Sequence, residues 1–497
     1  MVLLVPRLVR LFYPEVWVED DFYLESAYLV SVGMRPYLDF VLQHFPVLEW
    51  TAGAYIRLFG ASNLSFEFLN EAAIYATSLL VFALGRRVAG RPAAIASAIL
   101  YGFASLVFRY HVYERECFVA PLVVTAAIFV LDDDSAEISR RAGVVAGLLF
   151  LACAIKLTAV IPTAVIVAYI ALFWRGVLKA IAIAIGVAVL IAVLSAFCYW
   201  RYGFVFVFQT FFFHFMKGRD TAGAIALYPR LILDILAPLL VLGVVRIVAA
   251  RDWKGATVLV LALAAAEYIF FGLLSPTAWG HNYLEALPFI AIIAGLGAIR
   301  LFEALRNLVA QEMPARVDWA WVIGGGVFIL ICLVAITPLV NENWLHDSVY
   351  GFGFVPRDEI AEIATAIRGA SGPDDNIVAP SFICFEANRP ELVRYPETYG
   401  IYREAEAEYE HDGFFAARSR LGNADFFGLI GETAHYWTDQ IRDAITEHKV
   451  KVVVSDSPIQ LLPLVRIPPE MLAQNGYRPI LRTPHYVVWA LTPAPPP

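Results

Sequence analysis

Ten stretches of this chain run apolar for about the length a helix needs to cross lipid, roughly 18–20 residues. They lie near 64–84, 92–110, 117–131, 142–158, 160–174, 180–199, 231–249, 256–274, 283–300 and 318–340. The pair 142–158 and 160–174 forms one long run, for which a bend at Pro162 is expected. Residues 1–18 offer a further span, short and strained, because Pro6, Arg7, Arg10 and Pro14 interrupt it. Hydrophobic residues make up 60% of the chain and charged residues 16%, against about 25% charged in soluble domains. A water-soluble globule cannot hide that much apolar surface. The expected fold class is therefore a polytopic α-helical membrane protein with about eleven transmembrane helices over residues 1–340.

The cations of the short loops set the expected orientation. Loops 85–91, 132–141, 174–180, 246–255 and 300–317 hold thirteen Lys and Arg, and the alternate loops 109–116, 199–230 and 275–282 hold six. The first set is read as cytoplasmic. Segment 19–63, loop 199–230 and everything after 340 then belong to the extracytoplasmic side. The tail, 341–497, is rich in Glu, Asp, Arg and Pro and has no spanning run. Its pattern predicts a small α/β domain: an amphipathic helix over Arg357–Arg368, a turn at Ser371–Asn376, a strand over Ile377–Phe382, a helix over Ala434–His448, a strand over Val450–Ser455 and a closing hairpin within Tyr477–Trp489.

Composition also excludes classes. The net charge of −8 and the absence of a basic run speak against nucleic acid as a partner. Cys117, Cys153, Cys198, Cys332 and Cys384 form no CxxC, so neither a disulfide framework nor a zinc site is indicated, and they read as small packing residues.

The first outer segment carries the densest chemistry. Glu19, Asp20, Asp21 and Glu25 stand at the outer end of the first span, followed by Arg35, Tyr37, Asp39 and His44. Acids beside lipid need a partner or a purpose. Lys156 lies inside an apolar run, near the outer end of its span, and is costly there unless paired. Other outer-side cations are Arg109, Arg115, Lys217, Arg219 and His281, with Tyr283 at the start of a late span. The bland reading of Lys217 and Arg219 is an interfacial helix with snorkelling side chains. Glu114 and Glu116 are candidates for sugar hydroxyls or a metal, or for pairing with the Arg115 between them.

These residues fall into short motifs: Asp20-Asp21, then Gly33-Met-Arg-Pro-Tyr37-Leu-Asp39, then His44-Phe-Pro46, Arg57-Leu-Phe-Gly60, Gly147 through Lys156, and Trp279-Gly-His-Asn-Tyr-Leu-Glu-Ala-Leu-Pro288. The set resembles the GT-C superfamily of membrane glycosyltransferases, in its protein-mannosyltransferase and aminoarabinose-transferase branch. Two departures stand out: the short first span, and Leu151 in place of a second glycine. The resemblance implies sugar transfer from a polyprenyl-phosphate donor to an acceptor hydroxyl on the extracytoplasmic face. It implies Asp20 as general base and Asp21 as its partner. Lys217, Arg219, His281, Lys156 and Arg115 are the candidates for the donor phosphate, and Tyr37, Asp39, His44, Glu116 and Tyr283 for the substrates. The acceptor is a glycan, lipid or protein. Some GT-C members use a divalent metal and others do not, and the spacing here does not decide between them. Competing readings are a transporter or flippase for a lipid-linked or glycan substrate, whose paired inverted repeats are not visible in this sequence, and a non-catalytic envelope-assembly protein.

Overall fold

The computed structural model describes residues 4–12, 15–17, 22–105, 113–131, 138–173, 176–219, 224–249, 255–275, 280–312, 326, 354–393, 396–456 and 467–492. Helix α1 (Val5–Leu11) is short, as its prolines require, and a strand β1 (Glu15–Trp17) follows. Two helices then fill the first loop, α2 (Phe22–Ser31) and α3 (Val47–Phe59). The bundle comprises α4 (Asn63–Ala89), α5 (Arg91–Ala104), α6 (Arg115–Leu131), α7 (Ile138–Ile155), α8 (Val160–Phe173), α9 (Val177–Tyr202), α10 (Phe204–Val207), α11 (Ala224–Ala249), α12 (Gly255–Ile269) and α13 (Leu287–Glu312). These overlie the apolar runs of the sequence. Apart from Gly326, the run 318–340, with Cys332, lies outside the described residues. Asn63–Ala89, Val177–Tyr202, Gly255–Leu274 and Leu287–Ala304 are long and apolar enough to cross a membrane.

Between lipid-facing helices there is little hydrophobic drive, so close packing depends on small residues. On α13, Gly295 lies against Ala93 and Ser97 of α5, and Gly297 lies against Leu239 and Gly243 of α11. A Cβ built on Gly297 would meet the Leu239 carbonyl oxygen at 1.8 Å, so nothing larger than glycine fits.

The expected bend at Pro162 falls elsewhere. Helix α7 ends at Ile155, Lys156 is extended (φ −150°), and the chain restarts through a tight turn at Leu157–Ala159. Pro162 sits in the first turn of α8, where its missing N–H leaves no bond unmade. The break occurs at Lys156 because its side chain is drawn into buried carboxylates.

The tail folds as α14 (Arg357–Ala370), α15 (Ser381–Ala387), α16 (Pro396–Leu421), α17 (Phe426–Thr433), α18 (His435–Thr446) and α19 (Pro469–Gln474), around β3 (Val452–Asp456), β4 (Tyr477–Arg482) and β5 (Tyr486–Leu491), in the antiparallel order β3-β5-β4. Helices 357–368 and 434–448, the strand at 450–455 and the closing hairpin are found close to their expected places. The strand expected over Ile377–Phe382 is not. Only Ile377 and Val378 bridge to neighbours, and Pro380 leads directly into α15. Proline has no N–H to give a ladder and suits a helix start.

The tail is tied to one end of the bundle. Strand β2 (Phe354–Pro356) pairs antiparallel with β1, Glu15 opposite Pro356. Arg357 grips Glu67 at the start of α4 through two bonds of 2.9 and 2.5 Å. Glu386 accepts from the Asn63 N–H, and Glu25 from the Glu391 N–H. The Arg219 backbone pairs with the chain around Asp425.

Candidate functional site

At that same end of the bundle, beneath the tail, several helix termini meet and carry charge inward. Glu49 stands in the first turn of α3, Arg115 and Glu116 open α6, Lys156 occupies the break after α7, and Asn282 and Glu285 lie just before α13. All are buried. Arg115 is wholly enclosed. It forms an ion pair with Glu49, donates to the Ile155 carbonyl at 2.9 Å and lies over the Tyr23 ring at 4.6 Å. Lys156 pairs with Glu116 and with Glu285 (3.0 Å), donates to Asn282 Oδ1 at 2.7 Å and sits 5.2 Å from the Phe271 ring centre. The two cations thus lock neighbouring segments together, Arg115 joining α3, α6 and the end of α7, Lys156 joining α6 and the turn before α13.

A second layer adjoins Arg115. The Tyr23 hydroxyl is hydrogen-bonded to His44 Nε2 at 3.2 Å, and the His44 ring faces His214 with centres 5.5 Å apart. His214 Nε2 donates to the Gln43 carbonyl at 2.8 Å. Burial, with Arg115, His214, Lys156 and Lys217 adding positive charge around it, holds the His44 imidazole well below its usual range. Tyr37 supports this layer. It is left-handed (φ 67°), a strained backbone for a tyrosine. Its hydroxyl bonds the His44 carbonyl at 2.5 Å, Gln209 donates to its carbonyl at 3.1 Å, and Tyr202 and Phe206 meet its ring edge-on.

Lys217 follows the apolar helix Phe204–Phe215 and is half-buried. Burial first, then the charge of Lys156, bring its ammonium down to about 8. Among the described residues it has no carboxylate or hydrogen-bond partner. On the other side of Lys156, Glu267 of α12 is buried with neither oxygen hydrogen-bonded among the described residues, and Glu285 Oε2 and the Tyr283 hydroxyl are in the same state. Tyr283 packs on Tyr268 and Phe271.

Of the residues singled out in the sequence, Arg115, Glu116, Lys156, His44 and Lys217 come together, with Tyr37 and Tyr283 bordering them. Arg115 pairs with Glu49, and Glu116 with Lys156. Asp39 is engaged instead by Arg35, at 2.9 and 3.1 Å on an exposed turn, and the Arg219 side chain is exposed. Asp20, Asp21 and the His281 side chain lie outside the described residues. Glu49 and Glu267 were missed, and Asn282, Glu285 and His214 lay in segments noted in the sequence without being given a role. Glu267 carried a signal in the sequence: an acid inside an apolar span. Glu49 carried none, since it reads as a first-turn acid of an ordinary helix. No group of three His, Cys, Asp or Glu that could hold a metal ion occurs among the described residues.

The arrangement sets guanidinium, ammonium and imidazole groups beside carboxyls with unfilled acceptor capacity, in a water-poor layer at the bundle end. Such a site neutralises an anion and holds hydroxyl groups at once. This layered architecture, a helical bundle with its charged layer under an α/β tail, has counterparts among solved structures. It is similar over 99% of this chain and 97% of the other to ArnT of Cupriavidus metallidurans bound to undecaprenyl phosphate, at a TM-score of 0.63 and 14% identity, and nearly the same to that protein's apo state at 0.62. The Archaeoglobus fulgidus oligosaccharyltransferase in its apo form is similar at 0.51 and 13% identity, over 92% of this chain and 69% of that one. No protein family and no curated protein matches the sequence.

Proposed function

We propose that this protein is a glycosyltransferase that takes a sugar from a polyprenyl-phosphate donor and passes it to an acceptor hydroxyl on the extracytoplasmic face of the membrane. The observation that carries the reading is Lys217, a half-buried ammonium without a counter-ion among the described residues, held beside the Lys156 and Arg115 layer. A leaving phosphate is the anion such a cation awaits. The lipid carrier of the similar ArnT structure, undecaprenyl phosphate, has that chemistry.

In the transfer, the acceptor oxygen attacks the anomeric carbon as the bond from that carbon to the phosphate oxygen breaks. The electron pair leaves on the phosphate, where Lys217 opposes the new charge. The hydroxyl proton passes to a carboxylate, the role assigned to Asp20, with Asp21 orienting it. Tyr23, two residues beyond that pair in the sequence, touches both Arg115 and His44. Glu285, Glu267 and Tyr283 are acceptors suited to sugar hydroxyls. Asp20→Asn is expected to abolish transfer from a polyprenyl-phosphate sugar while leaving the folded yield unchanged. Full activity in that variant removes Asp20 from the mechanism. Lys217→Ala is expected to raise the donor KM, and an unchanged KM makes Lys217 an interfacial anchor only.

A further inference from the structure

Helix α16 is two half-helices joined at Gly413, whose backbone (φ 79°, ψ 174°) no other residue adopts easily. The halves differ in kind. Before the kink stand Glu404, Glu406, Glu408, Glu410 and Asp412; after it come Phe414-Phe-Ala-Ala-Arg-Ser-Arg-Leu421, without an acid. Arg420 folds back onto Glu404 and Glu408, which leaves Phe415, Ala416, Arg418 and Ser419 as the outer face of the second half. Phe415 is 81% exposed. In water that is an unfavourable place for a phenyl ring.

The surroundings say what covers it. Phe414 packs on Phe212 (5.1 Å) and Phe215 (6.2 Å) of the apolar helix Phe204–Phe215, and Arg418 lies 5.6 Å over Phe215. That helix follows α9, one of the spans, after a sharp turn at Gly203 (φ 73°). The last turns of α9 expose Tyr199 and Trp200, the latter by 77%, and Phe215 is 54% exposed. Tyr and Trp at the end of a span mark the headgroup level. A band of outward aromatics therefore passes without interruption from the end of the span to the tail domain. An apolar face with a flanking cation and acids turned away is the composition of an interfacial helix.

We propose that Phe414–Leu421 of the C-terminal domain lies in the membrane interface, with Phe415 at the headgroup–acyl boundary and Arg418 at the lipid phosphates. The tail is then held to the bilayer as well as to the bundle, and Gly413 is the hinge that separates its lipid-facing half from its water-facing half.

The test uses spin labels on the full chain in phosphatidylcholine nanodiscs, placed by Phe415→Cys, Ser419→Cys and Ala407→Cys, with the unsubstituted protein labelled in parallel as the blank. Ala407 is exposed on the acidic half. Collision with oxygen, which concentrates in lipid, is compared with collision with a water-soluble nickel chelate. The oxygen-to-nickel ratio is expected to be severalfold higher at 415 and 419 than at 407. Equal ratios at the three positions, with nickel reaching 415 freely, would overturn the proposal. This outcome is independent of whether the protein transfers sugar.

Discussion

A buried ion pair and two half-buried basic groups decide the behaviour of single residues here. Arg115 and Glu49 are each enclosed, so removing one leaves the other charged and unpaired, at about 3–5 kcal/mol. Arg115→Met and Glu49→Leu are each expected to lower thermal stability in detergent by that order, while the double variant recovers most of the loss. An additive double variant would mean the pair does not act as a unit. His44 makes a pH prediction. Its imidazole is held below the usual range in the folded protein, so the unfolded chain takes up the proton first. Stability is then fully present above pH about 6.5 and falls as pH drops below it. His44→Asn is expected to flatten the decline of Tm between pH 7 and 5. Lys217 acts in the opposite range. With its ammonium near 8, the donor KM is expected to rise as pH passes upward through about 8, and Lys217→Arg to delay that rise.

At the scale of elements, glycines on α13 and α7 have unequal work. Gly297→Leu puts side-chain atoms where the Leu239 carbonyl already is, and loss of folded protein on size exclusion is expected. Gly147, part of the motif that resembles the GT-C pattern, has nothing within 4 Å of an added Cβ. Gly147→Ala is expected to leave the folded yield unchanged or to improve it. Proline gives another contrast. The sequence expectation placed the α7–α8 break at Pro162, by the local rule that prolines bend helices. The break stands at Lys156, because the ammonium is held by Glu116 and by Glu285, which lies more than a hundred residues away. No window of local sequence contains that partner. The same reason hid Glu49, while the long apolar helices were legible in position, though α11 starts at Ala224 and α13 runs to Glu312, beyond the expected 231 and 300. Cations of the site could be named because charge in an apolar run is conspicuous. Which acid each would choose depended on the packing of distant helices.

For the molecule as a whole, the attachment of tail to bundle is polar as well as apolar. Arg357 and Glu67 join the two through a bidentate contact in which Glu67 is buried. Arg357→Ala is expected to speed amide exchange in β2 and α14 relative to β3–β5, and uniform exchange across the tail would argue against a local tether. The predominantly helical bundle and a smaller α/β tail were both legible in composition, because apolar runs and charged segments demand different surfaces.

The pairing of β1 with β2 has a consequence for biosynthesis. Glu15 leaves the ribosome long before its partner Pro356, and at the usual ~5–20 residues per second the delay is on the order of 20–70 s. Throughout that interval the strand beside the first acidic segment has no mate. A nascent chain arrested short of Phe354 is therefore expected to fold its first helices while its two extremities stay unstitched.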